Sequence, residues 1–277
     1  MRVVNYAFFF VVYYSSKSVV YFLNLIVKSL VYLIFLLISW LGYNQVVTKI
    51  RRLKKSEKCY VIMTGPGLTD IQLSEIGDND VITSSGFWKH SFAKELNIVA
   101  YAFYDRNYFD KSKKTYDFFD SLFLNCRPKS IIAPAHIIDP DYFNYFEKWS
   151  SHFITTKHHG LDEISISRYG LWPRFAGVSA YCLMLAVFSG YKEIHLLGFD
   201  HDYLANRSFD RHFYKGVTIP GTIEKTLAEL ITYQQEMLNN YRLWENYRKI
   251  KILADRCNIT IFNRTPGSFL DVFVFKA

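Results

Sequence analysis

The sequence predicts an α/β domain, a mostly parallel sheet flanked by helices, preceded by an N-terminal membrane-associated helical segment. Three observations carry that expectation. From Cys59 onward, short runs rich in β-branched residues alternate with helical stretches. Those runs are apolar almost without interruption, as strands are when helices cover both faces of a sheet. Residues 1–47 hold two apolar runs, 3–14 and 18–43, and the second exceeds the roughly 20 residues that a spanning helix needs.

The run 18–43 is interrupted by Lys28. It fits a tilted spanning helix, or an in-plane helix whose Lys17 and Lys28 reach the head groups. A buried helix of a soluble core is the remaining alternative. No small-residue cleavage site stands out in SWLGYNQVV, so residues 1–47 are expected to be an uncleaved anchor.

Residues 48–58 form a basic linker. KIRRLKKSEK, from Lys49 to Lys58, carries six cations and one anion in a chain of net charge +8. Such a stretch suits an anionic membrane surface or a nucleic acid, and no nucleic-acid motif follows it. The positive-inside rule then places the domain on the cytoplasmic face of that membrane. There the linker would attract anionic groups at the membrane surface.

Six strands are expected, over 59–63, 80–84, 97–101, 130–134, 193–198 and 259–263. Between them GVSAYCLMLAVFSG reads as a buried helix entered through Ser179 and closed by Gly190. From Thr222 to about Arg256, Ile223, Leu227, Leu230, Met237, Tyr241, Trp244 and Leu253 recur at near-helical spacing, which predicts a long amphipathic helix. The order is that of a Rossmann-like domain over 59–277, with a lid at about 203–221.

Half of the 277 residues are hydrophobic, so a sizeable core is available. The four cysteines are scattered with no Cys-x-x-Cys pair, which argues for free thiols in a reducing compartment and against a structural zinc site.

In open α/β sheets ligands lie beyond the carboxyl ends of the strands. Three loops there stand out: TGPGLTD, SSGFWKH and FDHDYL. The glycines of Thr64-Gly65-Pro66-Gly67 permit close approach of a phosphate or base, though a plain strand-to-helix turn would use them equally well. Asp200-His201-Asp202 is one of three Asp-x-Asp patterns and the one at a favourable strand end. Such pairs hold a divalent cation in many sugar transferases, and they also arise by chance.

GYKEIHLLGFDHDY, preceded by GVSAYCLMLAVFS and combined with VIMTGPGL, resembles the bacterial lipooligosaccharide sialyltransferases and related glycosyltransferase-like proteins of polysaccharide gene clusters. The resemblance covers about residues 59–264. It implies metal-independent, inverting transfer of a sugar, sialic-acid-like, from a CMP-activated donor to a lipid-linked or lipopolysaccharide acceptor, with no cofactor and an oligomer possible.

By the same resemblance Gly65, Pro66, Gly67 and Leu68 would contact the nucleotide, with Thr64 where the family has Asn. Ser85 falls where a second family Asn stands, and a third, near Tyr101–Tyr104, has no counterpart. Ser179 and Arg174 match the family's Ser and, one residue off, its Arg. Tyr203 and Tyr214 would bind the donor phosphate.

Such a transfer needs a base for the acceptor proton. His212, in RSFDRHFYKG, stands where the family places its lid and catalytic histidine. His201 is the second candidate, and Asp200 is expected to organise the site. His158 and His159 could orient an acceptor or simply occupy a loop. The missing asparagines motivate the alternative of a catalytically silent scaffold.

Overall fold

The computed structural model describes residues 29–30, 47–139, 141–149, 152–156, 174–202, 204–205, 212–214 and 232–276. Residues 1–47 apart from Ser29, Leu30 and Val47, most of the expected lid, Tyr203, His158, His159 and the helical start 222–231 lie outside these residues. Among the described residues no helix is long and apolar enough to cross a membrane.

Eight strands form one sheet: β1 (Lys58–Ile62), β2 (Asp80–Ser84), β3 (Asn97–Ala102), β4 (Ser130–Pro134), β5 (His152–Thr156), β6 (Glu193–Leu197), β7 (Thr260–Asn263) and β8 (Val274–Phe275). Their order is β5-β4-β3-β2-β1-β6-β7-β8, and every neighbouring pair is parallel. All six expected strands are present. The two unexpected ones, β5 and β8, are the outermost, where strands can be short or polar because one side has no neighbour.

Helices α1 (47–53), α2 (Asp70–Ser74), α3 (Lys113–Cys126), α4 (Asp141–Glu147), α5 (Val178–Phe188) and α6 (Tyr233–Arg256) cover the sheet. Side chains alternate along each strand. Cys59, Val61 and Met63 therefore face α1, α5 and α6, while Tyr60 and Ile62 face the layer of α2, α3 and α4. That second layer absorbs much of the aromatic content, with Phe103, Phe119, Phe123, Tyr142 and Phe146 all buried. All four cysteines are free, and Cys257 alone is exposed.

Helix α5 is apolar on every side and buried from Ser179 to Phe188, as a helix wedged between a sheet and a second helix must be. Its N-cap is Gly177, so Ser179 lies inside the first turn rather than at the cap. Gly190, with φ +76, follows the end and supplies the left-handed turn expected there.

The face of α6 differs from the expected one. Glu236, Leu243, Asn246, Tyr247, Ile250 and Ala254 are buried, whereas Met237 and Tyr241 are 50% and 61% exposed. The large apolar residues at helical spacing pointed to the wrong stripe because the inward one carries polar residues in its first two turns.

The basic linker is part of the fold. Arg51 donates to the carbonyl of Phe188 at 3.2 Å and Lys54 to that of Gly190 at 3.1 Å, cations meeting the C-terminal end of α5 as its dipole favours. Lys58 pairs with Glu193 at 3.0 Å. Buried Asp80, the first residue of β2, accepts from the amides of Lys55 (2.7 Å) and Ser56 (3.2 Å), from Asn97 (2.6 Å) and from the Tyr191 hydroxyl (3.0 Å). The linker is thus sewn to the amino edge of the sheet. Its contacts therefore lie at the edge opposite the carboxyl-end loops.

Candidate active site

Strand order reverses at the β1/β6 pair, since the chain leaves β1 through α2 on one face and enters β6 from α5 on the other. Beyond the carboxyl ends at that point lies a cavity of about 320 Å³, where a doubly wound sheet places its ligand. Thr64, Gly65, Ser85, Asp200, His201 and Asp202 line it from the strand ends, Gly177–Ser179 from α5, and Glu236, Asn239, Asn240 and Leu243 from α6. His212 closes one side. A second cavity of about 400 Å³ shares Ser85 and Ala176–Val178 and extends to Tyr104–Arg106 beyond β3.

Residues 212–214 are docked on the loops after β1 and β2. The Phe213 amide donates to the Thr64 carbonyl at 2.9 Å. The Thr64 hydroxyl is 2.8 Å from Nδ1 of His212, and the His212 ring stacks on Tyr214 with centroids 4.9 Å apart. Tyr214 in turn fills the space a side chain at Gly86 would need, 2.5 Å from the position of its Cβ. Lys89 lies over the Tyr214 ring, its Nζ 4.5 Å from the centroid, and burial lowers its pKa to about 8.

The glycine turn serves Asp200. A Cβ at Gly65 would stand 1.7 Å from Asp200 Oδ2, and one at Gly67 would stand 2.6 Å from Oδ1. The Gly67 amide donates to Oδ1 at 2.7 Å and the Gly65 amide to the Gly198 carbonyl at 3.1 Å. Both amides are therefore spent within the protein, which favours the structural reason for these glycines over direct phosphate contact. Burial raises the Asp200 pKa, against the Gly67 hydrogen bond that lowers it.

His201 is 6% exposed and burial drops its pKa to about 3, so its ring is neutral at physiological pH. Its Nε2 lies 2.8 Å from the Tyr247 hydroxyl, which donates to Ser179 Oγ at 2.7 Å. With the tyrosine proton given to Ser179, Nε2–H is the donor to the tyrosine oxygen. This relay ties the β6 loop to α6 and α5, and it leaves the Ser179 proton for the cavity. His201 and Ser85 both hold φ above +50°, a conformation that costs non-glycine residues and clusters at functional sites.

No protein-family model matches the chain, and no curated protein matches it. Solved structures do resemble it. One is the sialyltransferase CstII from Campylobacter jejuni in complex with a substrate analogue, CMP-3FNeuAc, at 17% identity and TM-score 0.46, over 79% of this chain and 86% of that one. Another is a mutant of the alpha-2,3/8-sialyltransferase CstII, at 18% identity and TM-score 0.44 with the same coverage.

Of the residues singled out in the sequence, Thr64, Gly65, Ser85, Ser179, Asp200, His201 and His212 share the first cavity. Gly67 and Tyr214 stand behind it, under Asp200 and on Gly86. Leu68 is buried in the α2–α4 layer, and Pro66 and Arg174 are exposed away from the cavity wall. The Asp-His-Asp run diverges, Asp200 turning to Gly67 and His201 to Tyr247. Among the described residues no three His, Cys, Asp or Glu side chains come together as a metal site. Sequence reasoning missed Glu236, Asn239 and Asn240, whose signal was the stripe they share with Leu243 and Tyr247.

Proposed function

We propose that the chain is a membrane-associated, sialyltransferase-like glycosyltransferase of surface polysaccharide or lipopolysaccharide assembly, inverting and metal-independent, with a CMP-activated donor. The observation that carries this reading is His212, held by Thr64 on the rim of a cavity at the switch point of a parallel sheet. With Nδ1–H donated to Thr64, Nε2 is the basic nitrogen of the ring.

In the step, the acceptor hydroxyl oxygen bonds to the anomeric carbon while the bond from that carbon to the phosphate oxygen breaks. The bonding pair leaves with CMP, and the hydroxyl proton passes to His212 Nε2. The amino end of α5, which lacks a side-chain cap, and the Ser179 hydroxyl suit the charge that grows on the departing phosphate. The two adjoining cavities offer room for a nucleotide and a sugar. The sequence resemblance over about 59–264 supports CMP as the carrier.

A thermal-shift comparison of CMP, UDP, GDP and ATP, followed by turnover of a CMP-sugar, tests this reading. A ligand at 100 times its Kd stabilises a protein by about 2.7 kcal/mol, so CMP should raise Tm and the others should not. No shift with any nucleotide, together with no turnover, would overturn the proposal.

A further inference from the structure

All strands of a parallel sheet begin at one edge, so the turns that lead from a helix into a strand gather there. In this sheet they include 54–57 before β1, 127–129 before β4, 189–192 before β6 and 257–259 before β7. Each carries a cation or follows one directly: Lys55 in the first, Arg127 and Lys129 in the second, Lys192 in the third, and Arg256 just before the fourth. From β4 to β7 the sheet order gives five inter-strand spacings, a row about 24 Å wide.

Arg127, Lys192 and Arg256 are exposed, and their side chains make no ion pair or hydrogen bond among the described residues. Arg127 and Arg256 stand at the carboxyl ends of α3 and α6, where the helix dipole favours a cation. Unlike Arg51 and Lys54 at the end of α5, they bond no carbonyl there. Burial lowers the Lys129 pKa and the neighbouring Lys55 lowers it further, with Asp80 opposing, so like charges from distant turns lie within one another's field. Of the acids at this edge, Glu57 and Asp255 are paired with Lys54 and Lys251, which leaves the exposed Asp78 and Glu95 against the cations of the linker and turns.

Apolar side chains accompany the charge. Leu124, three residues before Arg127, is 62% exposed, and Ile252, one turn before Arg256, is 51% exposed. Cations beside exposed apolar groups suit the boundary where head groups meet acyl chains. A site for single-stranded nucleic acid would instead interleave its cations with stacking aromatic residues, and Tyr191, the aromatic residue of these turns, is buried.

We infer that the amino edge of the folded domain is itself a docking face for anionic phospholipid head groups, with Arg127, Lys192 and Arg256 contacting them beside the linker. The inference rests on the membrane association proposed above and is independent of the transfer chemistry. It extends lipid contact from the linker to turns far from it in sequence, so that the tethered domain lies against the bilayer in one orientation.

Cys257 supplies a reporter, since it is the exposed one of the four cysteines and follows Arg256 at this edge. The full chain, labelled there with a fluorophore, is reconstituted in vesicles of phosphatidylcholine, or of phosphatidylcholine and phosphatidylglycerol in equal amounts, each carrying a head-group quencher. Quenching should be strong on the mixed vesicles, weak on the neutral ones, and lost in about 1 M salt, where the screening length is about 3 Å. Arg127→Gln, Lys192→Gln and Arg256→Gln should each lower the ratio of docked to undocked domain by roughly fivefold, the effect of one cation near an anionic surface. Lys114→Gln, an exposed cation at the start of α3 and so at the opposite edge, should leave it unchanged.

Equal quenching on neutral and mixed vesicles, or a ratio unmoved in all three edge variants, would overturn the inference while leaving the tether in place. Binding of an oligonucleotide through the same three residues, with no response to anionic lipid, would overturn it as well. A full chain that associates with neither kind of vesicle would overturn the membrane association too, whereas turnover of a CMP-sugar by the same preparation reports on the transfer separately.

Discussion

Under the proposed function His212 and Thr64 would share the handling of one proton, the ring accepting it and the hydroxyl, 2.8 Å from Nδ1, fixing which nitrogen does so. His212→Gln should lower kcat by about 10²–10⁴ and leave CMP binding intact, as read by single-turnover transfer beside a thermal shift. Thr64→Val should lower kcat by roughly tenfold, since the ring is then free to adopt the wrong tautomer, and Thr64→Ser should restore most of it. Lys89 allows a separate test by pH. Its folded pKa of about 8 lies below the ordinary 10.5, so between those values the unfolded chain binds more protons. Stability contributed through Lys89 therefore rises with pH across that window. Urea midpoints of wild type and Lys89→Met at pH 7 to 10.5 should show the wild type gaining relative to the variant. The place of His212 at the cavity was expected from its loop and from a family resemblance. Thr64 as its partner was not, because the two are 148 residues apart and nothing local marks the pairing.

Among elements, the β1 turn and the end of β6 depend on each other. Gly65→Ala puts a methyl group where Asp200 Oδ2 already lies, and overpacking of that kind costs about 1–3 kcal/mol. Gly65→Ala in an Asp200→Ala background should cost less, a coupling that a double-mutant cycle in denaturant would measure. At the other edge, Asp80→Ala leaves the Lys55 and Ser56 amides and the Asn97 and Tyr191 side chains without their acceptor. A loss of about 2–4 kcal/mol is expected, with faster hydrogen exchange over residues 47–57. The six inner strands were legible because burial on two faces forces continuous apolar runs. Strands β5 and β8 were not, since an edge relaxes that demand. The polar stripe of α6 hid for a physical reason as well: Met237 and Tyr241 are apolar yet exposed, and Glu236 is charged yet buried, the inverse of what periodicity assumes.

For the whole molecule, the basic linker and the cavity sit at opposite ends of the sheet. Of the linker's six cations, Arg51, Lys54 and Lys58 have partners within the protein. Lys49, Arg52 and Lys55 are exposed and available to an anionic surface. The sequence announced the positive charge but not its edge, because contacts between distant segments set the edge: Asp80 with Lys55 and Ser56, and the end of α5 with Arg51 and Lys54. Under the proposed anchoring, the domain stands on its amino edge with its active centre turned from the bilayer by at least one strand, about 17 Å at 3.3–3.4 Å per residue. A lipid-borne saccharide would then have to climb that height before its last hydroxyl met His212. Glycans of one or two sugars should be poor acceptors on vesicles and good ones when cut free in solution, whereas longer chains should serve equally in both settings. The enzyme would act as a ruler, adding its sugar late in the growth of a surface glycan.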